Sequence, residues 1–244
     1  GYERAPIGVV HRRWALQFDD GLAFVRDVAE GEGEHLLELH WRVGADFRSA
    51  NLTPDVVVFA AGDERMSFVA PRDAAWARDI WEDIWSPCYG ETAPAPVVCY
   101  RGRARLPAEW AVAIAPGTVE GERRLAREAA GPGVSVYRYE AGGAEIAVAF
   151  GGEKQAEWSW GPWRTDARLL VWRRAGPDRQ LLVHQARFVE FQGGTVFESD
   201  AAVDRFEWDS NLGAESSDDE AARGANLQPF GVSSPKPPAG RRRR

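Results

Sequence analysis

Nowhere in the sequence does an apolar run reach the ~20 residues that a bilayer-spanning helix requires, so no helical membrane crossing is expected. Cysteine is scarce. Cys88 and Cys99 form no CxxC and no Cys/His zinc spacing; they could pair across neighbouring strands or stay free, and they fix no compartment. Positive charge is in deficit: 30 Lys and Arg against 37 Asp and Glu leave a net charge of −7, which argues against a general affinity for nucleic acid. There is no G-x-S-x-G, H-E-x-x-H or kinase motif, and the Gly151-Gly152 cluster lacks the strand–loop–helix frame of a phosphate site. The first residue is Gly1, with no basic stretch followed by an apolar one, so the chain is expected to be the C-terminal part of a longer protein.

What the sequence has in excess is tryptophan, 11 residues against one methionine. Indole offers area, a flat apolar face and one donor, so each Trp reads first as core and second as a platform for a sugar ring. Short segments rich in Val, Leu and aromatics recur between Gly, Pro and Asp, for example HLLELHWRV, PVVCYRGRARL and RQLLVHQARFVEF. Helix signals are weak, the best being Arg123 to Ala130 before Gly131-Pro132-Gly133. The expected fold is all-β: a large antiparallel β-sandwich of two stacked sheets and about a dozen strands over 1–209, with one short helix. From 210 to 244 apolar periodicity is lost and Ser, Pro, Gly and charge dominate, so a disordered tail is expected. Its terminal Arg241 to Arg244 read as a solvated end.

The first forty residues allow a geometric argument. Asp19-Asp20-Gly21 is a three-residue hairpin turn with glycine where positive φ is required. It sets Phe18 opposite Leu22, Leu16 opposite Phe24 and Arg13 opposite Asp27. One face then carries Trp14, Leu16, Phe18, Leu22, Phe24 and Val28; the other carries His11, Arg13, Ala15, Gln17, Val25 and Asp27. His11 and Asp27 become diagonal neighbours at ~7–8 Å, within reach of a shared hydrogen bond or ion. The Glu30 to Gly33 turn is expected to pair Ala29 with Glu34, adding Glu38 and His40 to the polar side and Leu37, Leu39, Trp41 and Val43 to the apolar side. That polar side is either the solvated face of a sheet or a working face turned towards another domain.

Two aromatic groups are further candidates. Trp81 and Trp85 are four apart, so a short helix would align them beside Tyr89 as a stacking platform or as an edge lid. Trp158 and Trp160 share one face of an extended segment, with Trp163 after the Gly161-Pro162 turn.

GVVHRRWALQF followed by LAFVRDVAEGEGEHLLELHWRV resembles the opening of the C-terminal β-sandwich of heparinase II/III-like polysaccharide lyases. WSPCYGETAPAPVV, LPAEWAVAIAP and TDARLLVWRR resemble later segments of that sandwich in the same order, so the resemblance covers residues 1 to 208. It implies cleavage of acidic, uronic-acid-containing polysaccharides by β-elimination, with an α/α toroid as partner domain and an extracellular or periplasmic location. Proton transfer and carboxylate neutralisation would involve His11 and Arg13, with substrate held by Trp81, Trp85 and Tyr89. Some relatives bind zinc in the sandwich through His and Asp, which would fall on His11 and Asp27. No third ligand is evident, since His40 and His184 are poorly placed, and two protein ligands fall short of the four-coordinate norm. Neither nucleic acid nor membrane is an expected partner. Two functions follow: the β-sandwich of a lyase, inactive without its toroid, or a non-catalytic sandwich that binds carbohydrate or supports a partner domain.

Overall fold

The computed structural model describes residues 2–4, 8–72, 76–86, 88–117, 121–152, 156–211 and 213–216. The protein is all-β, and no helix occurs among the described residues. The described residues form nineteen strands in three sheets, against an expected dozen in two. The chain divides into two compact units, 1–128 with 137–146, and 129–136 with 147–244.

In the first unit, β1 (Tyr2–Arg4) flanks a hairpin of β2 (Val9–Gln17) and β3 (Ala23–Glu30). The hairpin has the expected register, with Leu16 opposite Phe24 and Arg13 opposite Asp27. The turn is fixed by Gly21 at φ 83° and by the Asp20 carboxylate, which accepts the Leu22 N–H at 3.1 Å. Beyond β3 lie β10 (Ala108–Pro116), β7 (Glu64–Val69), β6 (Val56–Ala61) and β5 (Arg48–Leu52), completing a seven-stranded sheet.

The next strand corrects the expectation. β4 (Glu34–Arg42) does not pair with β3; it joins β9 (Ala93–Arg105) and β8 (Ala77–Trp85) in a separate three-stranded sheet with β9 at its centre. Gly31 makes this change of sheet possible. Its φ is 143°, and a Cβ there would stand 2.7 Å from the Gly8 carbonyl oxygen. The two sheets share one core: Val25, Phe59, Phe68 and Trp110 of the larger meet Val98 and Tyr100 of the smaller. This is the face-to-face packing of a β-sandwich.

Two helix expectations are corrected as well. Arg124–Glu128 is β11, paired with β12 (Ser135–Ala141), which precedes β13 (Ala144–Phe150). Leu125 is buried while Arg124 is exposed, the alternation of a strand, and pairing overrides a propensity that five residues cannot defend. Trp81 and Trp85 lie on strand β8; positions four apart share a face at period two as well, so their alignment holds although the element differs.

The second unit holds β14 (Trp158–Trp160), β15 (Trp163–Thr165), β16 (Leu169–Ala175), β17 (Asp178–Phe191), β18 (Gly194–Asp209) and β19 (Gly213–Ser216). β15 and β16 pair with opposite ends of the long β17. In a straight strand Leu181 and Phe191 would lie ~33 Å apart. Yet Trp172, opposite Leu181, is 6.2 Å from the Phe191 ring and 5.2 Å from Trp163. The β17–β18 hairpin therefore folds over on itself, at a bulge between Ala186 and Phe188 where Gln185 has φ 51°. The bulge frees backbone N–H groups. The fully buried Asp166 takes them: Oδ1 accepts from the N–H of Arg187 at 2.8 Å and of Phe188 at 3.3 Å, and Oδ2 accepts from the Arg187 guanidinium at 2.7 Å. Of the segment expected to be disordered from 210 onward, Gly213–Ser216 forms β19 against β18. Residues 217–244, Arg241 to Arg244 among them, lie outside the described residues.

Candidate functional site

His11, Arg13 and Asp27 come together as the hairpin register requires. His11 Nε2 lies 2.6 Å from Asp27 Oδ1, and Arg13 donates Nε to Oδ1 at 2.7 Å and Nη2 to Oδ2 at 3.1 Å. The cluster is not on an outward face. Asp27 is 4% exposed and stands beside Trp110 on the side of the sheet that packs against β4 and β9. The Arg13 guanidinium covers the Trp41 ring at 4.7 Å, which ties β2 to β4 across the two sheets. Side chains that local alternation marks as solvated thus close the rim of the inter-sheet core. Glu38 and His40, expected on the same face, belong to the opposite, outward face of the smaller sheet.

The chemistry of this cluster is that of a brace. Both Asp27 oxygens are engaged by protein donors, so the carboxylate is not open as a base, and Arg13 already neutralises one carboxylate. Zinc does not fit. The guanidinium is bidentate on the oxygens that would ligate it, and no group of three or more metal-ligating His, Cys, Asp or Glu exists among the described residues. His184, in the second unit, donates Nδ1 to the Asp204 carbonyl at 2.5 Å.

A second carboxylate, part-buried, escaped sequence reasoning. Glu109 accepts from Arg26 Nε at 2.9 Å and pairs with Arg127. Tyr137, 1% exposed, hydrogen-bonds to Glu109, and burial followed by the Glu109 charge pushes its phenol well above the ordinary range. Glu109, Arg127 and Tyr137 border an open pocket of ≈ 550 Å³ that is also lined by Asp55 and Arg72. The signal would have been the β3–β10 register, which sets Arg26 opposite Ala111 and beside Glu109, and no local motif reveals that pairing.

The predicted sugar platform is partly assembled. Trp81 and Trp85 project from the outward face of β8, with Trp81 at 37% exposure. Tyr89, fully exposed, follows in the next turn. Trp76, partly buried, packs against the inter-sheet core, 4.9 Å from Trp110. Beside Trp81 stands His40, ring centroids 5.5 Å apart and nearly perpendicular. His40 Nε2 is 3.7 Å from Cys99 Sγ and 3.3 Å from Glu38. Burial, and then the Glu38 charge, raise the Cys99 thiol, and one imidazole nitrogen faces both neighbours, so the trio lacks the relay geometry of a nucleophilic site. Both cysteines are free, Cys88 exposed and Cys99 buried. No protein-family model matches the chain, and no curated protein matches it.

Proposed function

We propose that this chain is the β-structured part of a polysaccharide lyase of the heparinase II/III-like type, bracing and presenting substrate rather than moving protons. The ordered series of motifs from GVVHRRWALQF to TDARLLVWRR supports this reading, and so does an all-β chain. The observation that carries the division of labour is the saturation of Asp27 by His11 and Arg13 beneath the second sheet. β-Elimination needs the C5 proton removed, the glycosidic C–O bond broken and the leaving oxygen protonated, with the uronate carboxylate neutralised throughout. His11 and Arg13 are committed elsewhere, so the groups for these steps would come from a partner domain such as an α/α toroid. The substrate would be an acidic polysaccharide met outside the cytoplasm.

The test is ultraviolet detection of unsaturated uronate from alginate and heparan. The chain by itself is expected to give none, and a longer protein containing it should turn over; robust product from the chain alone would overturn the division of labour. A second reading, a carbohydrate-binding sandwich without lyase activity, is favoured by the exposed Trp81 face. It predicts binding without product from any form of the protein.

A further inference from the structure

We propose that the outward face of the three-stranded sheet is a subsite for an uncharged sugar ring, stacked on Trp81 and held by the charged side chains around it. Along β8, Asp79, Trp81 and Asp83 project on the same side at successive steps of ~7 Å. Across the central strand, Arg42 reaches Asp83 at 2.5 Å, Arg101 pairs with Asp79, and Glu38 lies 3.7 Å from Arg101. The indole is therefore bracketed by carboxylates that are already oriented by guanidinium groups.

Two features separate this face from the ordinary solvated side of a sheet. Trp81 keeps 37% of its surface exposed, whereas Trp110, in the inter-sheet core, keeps 4%. An exposed indole is costly in water and suits the apolar C–H face of a pyranose. The ion pairs beside it present oriented acceptors and donors to neighbouring hydroxyl groups.

The charge balance selects the ligand. Beside Trp81 the three carboxylates of Asp79, Asp83 and Glu38 stand against two guanidiniums, Arg42 and Arg101, both engaged, with His40 3.3 Å from Glu38. A uronate or sulfate on Trp81 would add a negative charge beside those carboxylates, on a chain of net charge −7. An uncharged hexose or N-acylated hexosamine carries no such penalty. From the lyase reading this takes only that the ligand is a polysaccharide, and it places the uncharged units of a mixed chain on this face.

Calorimetric titration of the intact protein with uncharged glucan or N-acetylhexosamine oligomers, and with alginate or heparan oligomers, tests the assignment. The uncharged series should bind several-fold tighter at low salt. Trp81→Ala should weaken it about tenfold, the equivalent of ~1.4 kcal/mol, while Trp81→Phe retains most of the affinity. Asp83→Asn should narrow the preference by improving the anionic series, and it decides the matter even if Trp81→Ala fails to fold. Tighter binding of the anionic oligomers, or affinities indifferent to Trp81→Ala and Asp83→Asn, would overturn the proposal. Lyase failure reads out separately, as missing unsaturated product with oligomer binding intact.

Discussion

Each unit of the protein buries an aspartate, and the two are used differently. Asp27 in the first is held entirely by side chains, His11 and Arg13 from the neighbouring strand. Asp166 in the second is held mainly by the backbone, through two N–H groups that the β17 bulge leaves without ladder partners. The first carboxylate joins strands that a regular ladder already pairs, and through Arg13 it fastens them to Trp41. The second makes an irregular strand possible. Burial and residue type are the same; what differs is which donors would be stranded without the carboxylate, and that sets the cost of losing it.

The aromatics divide in parallel. All five tyrosines and both cysteines fall in the first unit, while the second has tryptophan and phenylalanine but no tyrosine. Its fold-over is closed by Trp163, Trp172 and Phe191, with Trp163 only 2% exposed and 4.6 Å from Phe191. Trp163→Ala should therefore have the largest effect, a loss of ~3–5 kcal/mol, because the two ends of β17 meet through that ring. Urea unfolding followed by tryptophan fluorescence measures it. A loss below ~1 kcal/mol would mean that the bulge, not the clasp, holds the hairpin closed.

The two aspartates give the next comparison. Asp166→Ala should cost ~3 kcal/mol, since two backbone N–H groups at the bulge and the Arg187 guanidinium lose a fully buried acceptor. Asp27→Ala should cost less, ~2 kcal/mol, because its partners can rehydrate: the Arg13 and His11 side chains are 41% and 30% exposed. Denaturant midpoints of the two variants would reveal the order. The reverse order would show that the side-chain brace, through its grip on Trp41, matters more than capping the bulge.

How far the sequence foretold this architecture depended on the range of the determining contact. The β2–β3 register was readable because Asp20, Gly21 and the apolar alternation are local, and it brought His11, Arg13 and Asp27 together correctly. Which side of the hairpin is buried was not readable, because β3 is covered on both faces: Phe24 meets Tyr137 on one, and Val25 joins Trp110 on the other. The partner of β4 depended on a backbone approach between Gly31 and Gly8 and on a strand some sixty residues downstream. The Glu109 network needed the β3–β10 pairing across more than eighty positions. Trp81 and Trp85 were aligned correctly for a reason indifferent to the element, since four positions share a face in helix and strand alike.

Alkaline pH should separate the units by the smallest effect, and its sign follows from burial. Tyr100 and Tyr137 have their phenols raised, in each case first by burial; for Tyr137 the Glu109 charge adds to the shift, and for Tyr100 the Arg78 charge opposes it. A group whose folded-state pKa is raised leaves stability intact below its ordinary value, here 10.0. As pH climbs above that value the unfolded chain ionises first, so folding loses up to ~1.4 kcal/mol per phenol per pH unit until the folded-state phenol also titrates. At half a unit above the ordinary value the loss is below ~1 kcal/mol for each. The tyrosinate absorbance contributed by Tyr100 and Tyr137 should therefore rise together with loss of the first unit's structure, not ahead of it. The second unit has no tyrosine to drive such a transition, and the Trp163–Trp172–Phe191 clasp contains no group that titrates there. Tryptophan fluorescence of Trp81→Phe and Trp163→Phe variants assigns the signal to one unit or the other. A transition above pH 10 that follows the Trp163 signal would place the alkaline weakness in the second unit and remove the contrast between them.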